Sequence, residues 1–62
     1  MIMIFTSDIK NMLAKYNMRI KPGKEAEVCK MVNRFLYERK ELGLTPRYEL
    51  TLIHLIEEHL ED

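Results

Sequence analysis

Apolar and polar positions follow a helical period along this chain, in three blocks separated by turn-forming residues. In the first block Ile9, Met12, Leu13 and Tyr16 recur at helical spacing, and Ile20 continues the stripe. Thr6, Ser7 and Asp8 precede it and are all good N-cap residues, so the pattern predicts helix one over about 7–18. Pro22 disfavours helical angles at Lys21 and places a break there. In the second block Val28, Met31, Val32, Phe35, Leu36 and Leu42 share a face with Cys29 at its edge, which predicts helix two over about 23–42. Gly43 suits the left-handed position just past a helix end. Thr45 then reads as an N-cap with Pro46 in the first turn, where a missing N–H costs nothing. Tyr48, Leu52, Ile53, Leu55, Ile56 and Leu60 form the apolar face of helix three, over about 46–60. Acidic residues crowd its C-terminal end, which opposes the helix dipole, so the last turn is expected to fray. The expected fold is all-α, a compact three-helix domain filling residues 1–62. Met1 to Phe5, apolar throughout, is expected to form a short N-terminal arm or strand.

Two charges interrupt the stripes. Arg39 falls on the apolar face of helix two and Glu49 on that of helix three. An antiparallel hairpin about Leu44 brings 39 level with 49, Phe35 with Ile53, and Val32 with Ile56. The expectation is an Arg39–Glu49 ion pair that fixes register; the alternative is that both side chains snorkel separately to water.

Length adds a constraint. A chain of 62 residues buries only about 60% of its unfolded surface, so small folds recruit disulfides, metals or partner chains. Cys29 is the only cysteine, which excludes an internal disulfide and a cysteine-based zinc site and leaves association as the expected supplement. Formal net charge is zero but unevenly placed. Residues 1–40 carry nine Lys and Arg against four Asp and Glu, a net +5; residues 41–62 carry one against six, a net −5. Such a split can steer charged partners or favour antiparallel self-association. Neither a signal peptide nor a membrane span is legible, so a cytoplasmic location, no membrane partner and a reduced thiol are expected.

Candidate chemistry is sparse. His54 and His59 stand five residues apart, about 140° around a helix, and cannot share one metal as a four-residue spacing would. Ser7, the one serine, reads as a cap, and Cys29 as a small buried hydrophobe. The two glycines, Gly23 and Gly43, make no phosphate loop, and so small a bundle leaves little room for a ligand pocket. No catalytic residue, metal site, cofactor or small-molecule substrate is expected, and the chain is not read as an enzyme.

The segment LTPRYELTLIHLIEEHL, residues 44–60, resembles the LTPRE-E-L-LI start of the LuxR-type response-regulator domain and of sigma-factor region four. The resemblance covers about a quarter of the chain and implies helix-turn-helix DNA binding. In those families the supporting and recognition helices follow this segment. If helices two and three served instead, Arg39 would stand where a small residue is needed, and helix three carries more acid than base. A better nucleic-acid face joins Lys15, Arg19, Lys21 and Lys24 around the first turn with Lys30, Asn33, Arg34 and Tyr37 on helix two. Glu27, Glu38 and Glu41 interleave with that face. The leading expectation is therefore a small non-enzymatic regulatory protein that binds a protein partner or itself, as a homodimer, through Ile2, Ile4, Phe5, Leu44 and Leu50. The alternative is a nucleic-acid-binding regulator using the basic face of helix two.

Overall fold

A computed structural model describes residues 3–61 of the chain. Three helices follow a short arm: α1 (Thr6–Ala14), α2 (Glu25–Glu38) and α3 (Glu49–Ile56), the last continuous with 3₁₀ turns at Pro46–Tyr48 and Glu57–His59. The architecture is all-α, as the three stripes predict, and no strand forms among the described residues. Ile9, Leu13, Val28, Val32, Leu52 and Ile56 are fully buried where the helices meet, and Met12, Phe35, Leu36 and Ile53 close the core around them. The radius of gyration, 10.6 Å, matches the value of about 10.6 Å expected for a compact chain of this length.

The third segment starts at Pro46 as expected, whereas α1 and α2 end short of their expected places for local reasons. Helix α1 takes the cap-type run Thr6–Asp8 into its first turn. Phe5 takes the N-cap position, and the Asp8 carboxylate in the first turn accepts the Phe5 N–H at 3.0 Å. The helix then stops at Ala14 rather than Met18, because Asn17 adopts φ 57°. The Met18 N–H reaches back to the Leu13 carbonyl and the Asn17 N–H to that of Ala14, the paired bonds of a Schellman terminus. Lys21–Lys24 form a turn with Pro22 second and Gly23 third, Gly23 at φ 85° and the Lys24 N–H on the Lys21 carbonyl. Helix α2 ends at Glu38, not 42. Here Lys40, at φ 56°, holds the left-handed position expected of Gly43, with Glu41 N–H on Leu36 and Lys40 N–H on Tyr37. Leu42 is therefore off the helix and 74% exposed instead of lying on its apolar face. Thr45 sits at the N-cap position of the third segment, but its hydroxyl is buried without a partner and makes no cap bond.

The expected fraying of the last turn gives way to a tether. The chain tightens into a 3₁₀ turn, and Leu60 pairs antiparallel with Ile20 in an isolated bridge. The Lys21 N–H bonds the His59 carbonyl and the Glu61 N–H the Arg19 carbonyl, both at 2.8 Å. Ile20 and Leu60 are buried there. Main-chain pairing thus replaces the carbonyl partners that the acidic last turn could not supply from its own side chains.

Candidate interaction surfaces

The arm is extended and docked on α2. The Asn33 side chain clasps the Ile4 backbone on both sides: Oδ1 accepts the Ile4 N–H at 2.7 Å, and Nδ2 donates to the Ile4 carbonyl at 2.9 Å. The Cys29 thiol donates to the same carbonyl at 3.1 Å. In extended chain successive side chains point opposite ways, so Ile4 turns into the core while Met3 and Phe5 turn out. They are 63% and 67% exposed. With Leu44, Asp8 and Asn11 they border a shallow groove of about 410 Å³.

This arrangement sorts the residues expected to meet a partner. Ile2 lies outside the described residues. Ile4 is corrected to a core residue, buried by the clasp. Phe5 is exposed and Leu44 half-buried on the groove, while Leu50 is 63% exposed on α3 and does not line it. Met3, within the apolar run Met1 to Phe5, and Leu42, expected on the inner face of helix two, also belong to the exposed apolar surface. The signal for Met3 was present, since an extended arm that buries residue 4 must present residues 3 and 5.

The Arg39–Glu49 pair does not form. Glu49, buried at the start of α3, faces α1 instead: the Lys15 ammonium bonds one carboxylate oxygen and the Tyr16 hydroxyl donates to the other at 2.6 Å. These two bonds, Lys15 first, hold the Glu49 carboxyl below the ordinary carboxylate range against the desolvation that would raise it. The same contact with Glu49 raises Lys15 and Tyr16 above their ordinary values. Arg39, the C-cap residue of α2, turns instead to its own helix. Its guanidinium stacks 3.7 Å from the centroid of the Phe35 ring. Phe35 meets Tyr48 edge-on at 5.5 Å and 78°, and Arg47 lies 5.4 Å from the Tyr48 centroid.

The expected nucleic-acid face is largely engaged by acids of the same chain. Lys15 pairs with Glu49, Arg19 with Glu61 at 3.4 Å, Lys24 with Glu27 at 4.0 Å and Arg34 with Glu38 at 3.5 Å. The Lys21 ammonium donates to the Glu58 carbonyl at 3.0 Å. Asn33 is committed to the arm, whereas Lys30 and Tyr37 stay exposed on α2. The +5 and −5 halves of the chain thus meet within one molecule, at the ends of α1 and α3.

His54 is exposed, 3.4 Å from Glu57, while His59 is mostly covered. Among the described residues no three His, Cys, Asp or Glu side chains converge on a metal position. One expectation is too strong. An open cleft of about 490 Å³ lies beside the end of α1, with Leu13, Ala14, Met18 and Ile20 as its floor and Lys10, Arg19 and Glu25 at its rim. Its volume falls in the range of ligand sites. No helix among the described residues is long and apolar enough to cross a membrane. No family model matches the chain, and neither a curated protein nor a solved structure matches it significantly.

Proposed function

We propose that this chain is a small non-enzymatic regulatory protein that acts by binding another macromolecule, and that it self-associates as a homodimer. The observation that carries the reading is the outward face of the docked arm. A segment apolar on both faces has one face covered and the other, Met3 and Phe5, in water on a groove shared with the half-buried Leu44. A continuous apolar run of this kind suits an element covered on both sides. The chain has no disulfide and is of the size at which association commonly supplements the core. A second copy is the occupant proposed for this face.

Sedimentation equilibrium tests it. Wild-type protein is expected to weigh twice its 7.5 kDa at micromolar concentration, and Met3→Asp with Phe5→Asp to weigh a single chain while keeping its helical circular dichroism. A wild-type mass of one chain at all concentrations excludes the homodimer. The nucleic-acid alternative draws on Lys30 and Tyr37, but the ion pairs above weigh against it. It requires retention on heparin with a steep loss of affinity as salt rises.

A further inference from the structure

The four arginines of the chain divide into two kinds. Arg19 and Arg34 rest on the carboxylates of Glu61 and Glu38. Arg39 and Arg47 have no carboxylate partner among the described residues; the Arg39 guanidinium stacks on Phe35 at 3.7 Å, and that of Arg47 lies within cation–π reach of Tyr48, 5.4 Å from its centroid. Phe35 and Tyr48 lie against each other at 5.5 Å, so the two guanidinium groups are braced by one continuous aromatic pair across the α2–α3 connection. Stacking occupies the face of a guanidinium and leaves its N–H fork free to bind an anion in the plane. Both arginines are exposed, and Glu41, the acid nearest Arg39 beyond the helix end, pairs with neither.

We infer that Arg39 and Arg47 form a docking point for an acidic segment of a partner protein, each fork taking a carboxylate. Stacking on Phe35 removes much of the rotamer freedom that a loose Arg39 would lose on binding. Two features favour a polypeptide over a nucleic acid. Arg47 and the exposed Leu50 stand one helical turn apart, so an apolar contact flanks that cation as an acidic amphipathic segment requires. Two unneutralised guanidinium groups also fall short of the roughly 6–10 phosphate contacts of typical duplex binders. The inference goes beyond self-association and holds for monomer and dimer alike.

The test is nuclear magnetic resonance of the full chain titrated with a short Glu-rich peptide carrying leucines. The peptide is expected to shift the Nε–Hε signals of Arg39 and Arg47 and to bind more weakly as salt rises. Arg39→Met with Arg47→Met keeps apolar cover over both rings and removes both forks. It should weaken the peptide by about tenfold or more. Arg39→Lys with Arg47→Lys keeps the charge without the planar fork and should lose part of that. Unmoved Nε–Hε signals, an unchanged affinity in the methionine variant, or tighter binding of a single-stranded oligonucleotide at the same signals would each overturn the proposal.

Discussion

Lys40 and Asn17 occupy left-handed backbone, at φ 56° and 57°, at the ends of two helices. Outside glycine this region costs about 1–2 kcal/mol, less for Asn, whose short polar side chain tolerates it. Gly43 has no such requirement. Its φ lies outside the left-handed range, and a Cβ there would touch Ile4 Cδ1 at an ordinary 3.9 Å. The two sites should therefore respond in the opposite sense to a sequence-based expectation. Lys40→Gly is expected to stabilise the fold by about 1 kcal/mol. Gly43→Ala should be neutral or stabilising by up to about 1 kcal/mol, by restricting the unfolded chain. Urea unfolding of both variants measures this; a destabilising Gly43→Ala would place the strain at 43 after all. The position of a helix end was not legible because lysine gives no signal for the left-handed region, whereas glycine gives a strong one that was free to be used elsewhere.

At the scale of elements, α1 and α3 are joined by one polar contact at the edge of the apolar seam, Glu49 with Lys15 and Tyr16. Its pH dependence follows from the three shifts. Glu49 titrates lower in the folded state, so its contribution is complete above about pH 4.5 and is lost as pH falls through the folded value. Lys15 and Tyr16 titrate higher in the folded state, so theirs is complete below about pH 10 and is lost as pH rises. A melting temperature flat between those limits, falling on both sides, is expected. Glu49→Gln should lower the plateau and flatten the acid limb; an acid limb as steep as wild type in this variant would show that other carboxylates carry it. The apolar stripes fixed which faces meet and left Glu49 on an inward face. Which basic residue it would find was not legible: Lys15 and Tyr16, just past the end of α1, reach it, while Arg39 stacks on Phe35 of its own helix.

On the scale of the whole molecule, the two ends are fastened to the bundle rather than left beside it: the arm through Asn33, the tail through the Ile20–Leu60 bridge. A domain this small has a total stability on the order of 3–9 kcal/mol, so one such fastening is a large share of it. Truncating the buried Leu60 to Ala should cost about 2–5 kcal/mol and strip hydrogen-exchange protection from the Lys21 and Glu61 amides, which donate across the bridge. Unchanged protection at those two amides would mean the tail is held by the main-chain bonds alone.

The sequence by itself determined that the chain is helical, that there are three helices, and most of their inner faces, because a 3.6-residue period survives small errors in where a helix stops. The capping residues at 6–8 also pointed to an arm or strand ahead of α1, and residues 3–5 form such an arm. Only the tertiary structure decided where the helices end, that Ile4 turns inward while Met3 and Phe5 turn outward, and that the charged halves neutralise each other within one molecule. The helix ends rest on local left-handed residues that give little sequence signal, while the other two outcomes rest on contacts between residues about thirty positions apart, such as Ile4 with Asn33 and Lys15 with Glu49, about which local spacing along the chain carries no information.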